Sequence, residues 1–305
     1  MIKNKILLPG ALAVILAAIA WGFDGVFLTP RLFNLEVGFV VFILHLLPFL
    51  LMQIFLYPEY RRSRNFSGKD WLIFLLIAFF GGSLGTLAIV KALFLVNFQH
   101  LSIVVLLQKL QPVFAILLAA LLLGEKIRRN FAFWAALAIL ASYTLTFGFS
   151  LPCLEISPNL LSAALWALVA AFSFGSSTVF SKLALRKYSY YTTTFYRFGL
   201  TSFLMLGYTL LTGNMGGFSQ LTPMNILIFF LIAVTTGSGA LFLYYYGLKK
   251  VKASVSTICE LFFPLSAIVF DYLFNGQRLN LIQWISAGIM LLAVLKISLN
   301  KKLGR

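Results

Sequence analysis

Ten apolar stretches dominate this chain, at approximately 8–28, 35–57, 71–95, 101–123, 131–149, 159–181, 190–212, 224–247, 253–274 and 281–298. A helix needs about 20 apolar residues to cross a hydrocarbon core of about 30 Å, so the pattern predicts an all-α integral membrane protein with ten transmembrane helices. The connections are short and leave no room for a soluble domain. Composition agrees, because the 305 residues are 61% hydrophobic and only 10% charged, whereas soluble domains carry about a quarter charged residues. Lys3 and Lys5 ahead of an apolar run resemble a signal peptide. That run exceeds a signal core of about 7 to 15 residues and has an internal counterpart, so it is expected to stay.

The net charge is +16, and its placement decides what it means. Lys3 and Lys5 precede the first span; Arg61, Arg62, Arg64 and Lys69 follow the second; Lys126, Arg128 and Arg129 follow the fourth. Lys182, Arg186 and Lys187 follow the sixth, Lys249, Lys250 and Lys252 the eighth, and Lys296, Lys301, Lys302 and Arg305 close the chain. The other side carries only Arg31 and Arg278, and Lys91, Lys109 and Arg197 fall inside spans. Because cytoplasmic loops collect Lys and Arg, both termini are expected in the cytoplasm of a bacterial-type plasma (inner) membrane. The basic surplus is then a topology signal with some attraction to anionic membrane lipid, and no nucleic-acid partner is expected. Cys153 and Cys259 lie in a loop and a span and predict no disulfide framework. Neither has a metal-ligand partner at useful spacing, so no metal or cofactor is expected.

The stretch Gln108–Lys126 recurs at 260–278, with Pro112 as Pro264, Ala115 as Ala267, Ile116 as Ile268, Leu121 as Leu273 and Gly124 as Gly276; Glu260 stands where Gln108 does. Residues 17–32 likewise match 170–185, with Gly22 over Gly175, Val26 over Val179 and Phe27 over Phe180. Gly82-Ser83 matches Gly237-Ser238 once an insertion within Phe94–His100 is allowed. An odd number of spans per copy makes the second copy enter from the opposite face, so residues 1–152 and 153–305 are expected to be two inverted five-helix repeats. Such repeats place a binding site near the membrane midplane.

Trp21-Gly22 in the first span, Pro112 ahead of Gly124-Glu125 in the fourth, and the same layout in a second five-span half resemble the EamA family of the drug/metabolite transporter superfamily. The resemblance covers essentially the whole chain. It implies a secondary carrier for a small metabolite, with amino-acid export common among the members.

Ionisable groups inside spans are costly and therefore functional candidates. At 1.5 Å per residue, His45, Gln108 and Lys109 reach the middle of the core from one side, and Arg197 and Glu260 from the other. Two polar clusters are expected, His45/Gln108/Lys109 and Arg197/Glu260, with a structural Arg197–Glu260 ion pair as the alternative. Ser256, Thr257, Glu260 and Pro264 share a helical face, as do Gln108, Gln111 and Pro112. A proline inside a helix frees the carbonyl four residues back, so Pro112 and Pro264 are expected to kink their helices and expose Gln108 O and Glu260 O. Asp24 and Lys91 lie at similar depth and could pair as an outer gate, with snorkelling the alternative for Lys91; Trp21 would floor the vestibule. Of Tyr244, Tyr245 and Tyr246, at least one is expected to face the interior, with Tyr245 as the candidate for binding substrate. Gly81 and Gly85 read as helix packing, and Glu125 as a structural group paired with Lys126 or Arg128.

These features point to alternating access, proton coupling, and a small polar substrate such as an amino acid or small organic anion; that it is moved outward is what the resemblance implies. Arg197 and Lys109 would bind its anionic group and Glu260 its amino group or a proton. The alternatives are a facilitator or importer of a nucleotide-like or quaternary-amine metabolite, or an intramembrane enzyme built on Asp24, His45 and Glu260. No HExxH motif and no nucleophile with a His at motif spacing supports the last. Nothing in the sequence sets an oligomeric state.

Overall fold

A computed structural model describes residues 4–95, 104, 107–149, 158–275 and 280–299, and every regular element among them is helical. The chain runs α1 (Asn4–Phe23), α2 (Val37–Leu56), α3 (Gly68–Ile77), α4 (Gly85–Leu95), α5 (Gln111–Leu123), α6 (Arg129–Phe147) and α7 (Pro158–Lys187). It continues with α8 (Tyr190–Leu211), α9 (Pro223–Ile232), α10 (Ser238–Lys250), α11 (Ala253–Cys259), α12 (Phe262–Asn275) and α13 (Leu281–Leu299). Lys3, Cys153, Gly276, Gln277, Arg278, Lys301, Lys302, Arg305 and the turn at 96–100 lie outside the described residues.

Seven helical runs among the described residues are long and apolar enough to cross a membrane: Leu8–Leu32, Val37–Leu56, Gly68–Leu95, Leu161–Lys187, Pro223–Lys250, Ala253–Phe274 and Leu281–Leu299. The protein is a multi-pass membrane protein, with seven such runs against the ten expected. The shortfall has local causes. The fourth apolar stretch is interrupted by a turn at Lys109 and Leu110, which leaves α5 only 13 residues. Helix α8 carries Arg197 and buries Thr192, Thr193, Thr194, Thr201, Ser202 and Thr209, all of which lower hydropathy.

Pro112 and Pro264, expected to kink continuous helices, instead stand in the first turns of α5 and α12. There the backbone N–H has no intrahelical partner to lose, so proline is tolerated where a helix begins. Glu260 O is not free either, because Phe263 N donates to it at 2.9 Å. Three other helices widen into π-helical turns, at Asp24–Leu28 after α1, Ala78–Leu84 between α3 and α4, and Ala233–Gly237 between α9 and α10. Such turns release backbone groups from the regular ladder and recur at functional sites.

Helix α1 packs on α10 and α12, α7 packs on α4 and α5, α2 lies against α8, and α6 against α13. Small residues set the closest approaches. A Cβ on Gly22 would stand 2.9 Å from Phe263 O and 3.0 Å from Ala267 N; one on Gly175 would stand 3.0 Å from both Gln111 O and Ala115 N. The obstacles are backbone atoms of α12 and α5, which cannot rotate away. We expect Gly22→Ala and Gly175→Ala each to cost about 1–3 kcal/mol, seen as a lower Tm of the purified protein. An unchanged Tm would mean that these helices separate freely. Gly81 and Gly85 are packing positions too, facing Ser177 and Phe174 of α7.

The basic connections gather at one end of the bundle, where they cap helices. Lys182 Nζ donates to Leu248 O at 2.7 Å and Lys249 O at 3.1 Å, and Arg186 Nη2 to Leu123 O at 3.1 Å. Cations satisfy terminal carbonyls and meet the negative end of the helix dipole there. Lys187 Nζ lies 2.6 Å from Asp70 Oδ2, and Asp70 with Ser67 forms the capping box of α3. Glu125 does not bond Lys126 or Arg128. Its carboxylate accepts from Ala253 N at 2.8 Å, Ser254 N at 3.1 Å and Ser254 Oγ at 2.6 Å, capping α11. At the opposite end the Thr222–Asn225 capping box starts α9, and Asn225 bonds Asn34 without a charge.

Candidate functional site

The breaks that begin α5 and α12 create the polar centre. The chain turns at Lys109–Leu110 and at Glu260–Leu261, one residue apart in the repeat that sets Glu260 over Gln108. Helices α5 and α12 therefore start inside the bundle, and their N-termini offer positive dipole ends near a partly accessible carboxylate. That carboxylate is Glu260. Its Oε2 accepts from Gln111 Nε2 at 2.9 Å, and its Oε1 from Tyr244 Oη at 2.9 Å and Ser256 Oγ at 3.4 Å. Thr178 Oγ1 lies 2.8 Å from Tyr244 Oη, and since the phenol proton goes to Glu260, Thr178 is the donor. Glu260, Gln111 and Trp21 keep partial access while Tyr244 and Ser256 are buried. The indole of Trp21 stacks obliquely on Tyr244, centroids 5.3 Å apart, and donates to Thr236 O at 3.0 Å.

A second cluster surrounds Arg197. Its Nη1 donates to Tyr245 Oη at 2.9 Å and its Nη2 to Gly81 O, in the π turn, also at 2.9 Å. Tyr245 Oη lies 2.8 Å from Ser181 Oγ, so the phenol that accepts from Arg197 donates onward to the serine. Both Tyr244 and Tyr245 are buried, one more than the sequence required, and their rings lie 5.6 Å apart.

The two expected clusters are otherwise redistributed. Lys109 Nζ donates to Ser142 Oγ at 3.0 Å. His45 bonds Val41 O of its own helix at 2.8 Å and packs against Phe198. Gln108 is partly buried one position before the turn, and Gln111, one turn later, is the residue that reaches Glu260. Among the described residues the ion pairs within 4.0 Å are Arg62–Glu59 and Lys187–Asp70, so neither Arg197 nor Lys109 forms one with Glu260. Asp24 and Lys91 do not pair either. Asp24 accepts from the Thr29 and Thr236 hydroxyls, and Lys91 Nζ sits 4.5 Å from the Trp166 ring centroid. Trp21 is tied into the Tyr244 cluster and bonds the Thr236 carbonyl.

Gln111 shares a helical face with Gln108, which was a usable sequence signal, and Tyr244 stood in the conspicuous tyrosine run. Thr178, Ser181 and Thr236 gave none. A hydroxyl in an apolar span is common, and only tertiary packing brings these three to Tyr244, Tyr245 and Asp24.

Residues 8–147 and 161–299 both match the model of the EamA-like transporter family. The chain belongs to that family. It is 54% identical over 292 residues to the riboflavin transporter ImpX of Fusobacterium nucleatum subsp. nucleatum, a match covering 95% of this chain and 98% of that protein. It is also 26% identical over 294 residues to an uncharacterized transporter of Archaeoglobus fulgidus, covering 94% and 95% of the two chains. A crystal structure superposes with a TM-score of 0.71 at 14% identity, covering 97% of this chain and 99% of that one, and so shares the fold. The family and these relatives are transporters, not enzymes, so this chain is a transmembrane transporter with a small-molecule substrate.

Proposed function

We propose that this protein carries riboflavin, or a flavin very close to it, across the plasma membrane by alternating access. The observation that carries the reading is the 54% identity, end to end, with a riboflavin transporter. The polar centre suits such a cargo. A flavin has a flat tricycle ending in an edge where an N–H lies between carbonyls, and it is uncharged near neutral pH. Glu260 can accept from that N–H, Gln111 can face an adjacent carbonyl, and Trp21, backed by Tyr244, offers aromatic surface for the tricycle. Stacking and edge-specific hydrogen bonds are how such sites combine affinity with selectivity.

The amino-acid or organic-anion expectation depended on two cations beside one acid. With Lys109 on Ser142 and Arg197 on Tyr245 and Gly81, Glu260 meets only uncharged donors. A neutral heterocycle fits that set better than a carboxylate. The pairing of α1 with α10 and α12, and of α7 with α4 and α5, supports ten spans arranged as inverted repeats, residues 1–152 and 153–305. The basic caps at one end support both termini in the cytoplasm.

The test is direct. Riboflavin fluorescence is expected to be quenched saturably by the purified protein, and proteoliposomes preloaded with riboflavin are expected to accumulate labelled riboflavin by counterflow. Amino acids and small organic anions should not compete. Absence of both quenching and counterflow, or competition by amino acids alone, would remove riboflavin as the cargo.

A further inference from the structure

The Glu260 centre leaves a second carboxylate unexplained. Asp24 opens the π turn that follows α1, and each of its oxygens already accepts a hydroxyl, Oδ1 from Thr29 at 2.8 Å and Oδ2 from Thr236 at 3.0 Å. No cation lies within 4.0 Å of it among the described residues. Two basic groups at the same end of the bundle are engaged elsewhere. Arg31 lies over the Phe27 ring, 3.8 Å from its centroid, and bonds Phe27 O; Lys91 lies on Trp166. A carboxylate within a membrane span is neutralised by a bound cation or by a proton, and the side chains around Asp24 supply no charge.

We propose that Asp24, Thr29 and Thr236 form a sodium site that couples transport to a cation gradient. The donor set is two carboxylate oxygens and two hydroxyl oxygens, the hard ligands that suit hard cations. Both hydroxyls donate their protons to the carboxylate, so their oxygen lone pairs remain available to a cation. The site spans two elements, because Thr29 follows α1 whereas Thr236 belongs to the π turn between α9 and α10. Interrupted helices of this kind hold coupling ions in secondary transporters.

Thr236 connects this site to the cargo site. Its hydroxyl bonds Asp24, and its carbonyl accepts the Trp21 indole N–H. Trp21 packs on Tyr244, which donates to Glu260. An ion that draws Thr236 Oγ1 into its coordination shell moves the residue that anchors Trp21, so occupancy at Asp24 changes the aromatic wall of the cargo site. The inference rests on the transport reading and is independent of which cargo is carried.

The experiment needs no flavin. The full-length protein in detergent is titrated with NaCl, with choline chloride holding ionic strength constant, and its Tm is followed. Stabilisation by a saturating ligand predicts a rise of about 5 °C that levels off, with KCl giving little. Asp24→Asn should abolish the rise, and Thr236→Val, which keeps the shape and removes one hydroxyl, should shift the titration to at least about tenfold higher sodium. In proteoliposomes an inward sodium gradient should drive uptake of labelled riboflavin. Equal Tm in sodium and choline, or a sodium effect that survives both substitutions, overturns the site. Uptake driven by a proton gradient but not by sodium overturns the assignment of the ion. Failure of riboflavin as cargo would appear as lost flavin quenching and would leave the sodium titration intact.

Discussion

Glu260→Ala is expected to raise the riboflavin Kd of the purified protein by about 10- to 100-fold, the value of one hydrogen bond to a charged group at about 1.5–3 kcal/mol. The carboxylate takes Gln111 on one oxygen and Tyr244 and Ser256 on the other. It therefore orders every donor around it while keeping one lone pair, on Oε2, for an incoming N–H. Removing it loses the acceptor and also leaves the Tyr244 hydroxyl and the Gln111 amide without their partner. Tyr244 can turn its proton toward Thr178, so the fold should survive with a small loss of Tm. Glu260→Gln keeps one carbonyl acceptor and should recover part of the affinity, because Gln111 can reverse its amide to match. Fluorescence-quenching titrations of both variants, with Tm measured beside them, separate the readings. A large fall in Tm with the flavin Kd unchanged would make Glu260 a structural group.

The membrane class was legible in the sequence because hydropathy depends on local composition. The polar centre was legible as a set of residue types and depths but not as a set of partners. Depth from the helix end grouped Lys109 with His45 and Gln108, yet Lys109 falls in the turn before α5 and leads away to Ser142. The prolines explain the difference. Treated as kinks they keep Gln108 and Glu260 on continuous helices, whereas as helix starts they reset the phase and bring Gln111 forward instead. The π turns had no such signal. Nothing in Ala78–Leu84 or Ala233–Gly237 marks a widened helix, and it is the carbonyls of these turns, Gly81 O and Thr236 O, that receive Arg197 and Trp21.

Arg197→Leu should be the most destabilising single change in the bundle interior, at about 3–6 kcal/mol for two charge-assisted hydrogen bonds lost together. Against a total stability of about 5–15 kcal/mol, that predicts poor recovery of folded protein. The guanidinium spans three elements, joining α8 to the π turn through Gly81 O and to α10 through Tyr245. A Cβ on Gly81 would stand only 3.1 Å from Arg197 Cζ, so the glycine is what lets the planar group reach that carbonyl. Arg197→Lys should restore little, because a single ammonium cannot reproduce a fork aimed at two acceptors. An arginine whose work was to bind an anionic cargo would behave differently. Its removal would weaken binding with Tm nearly constant, and lysine would largely replace it. Here Tm should fall sharply in both variants, while the flavin Kd, measured below the Tm of each, should change by less than about threefold. The opposite pattern would return Arg197 to the binding site and reopen the case for an anionic substrate.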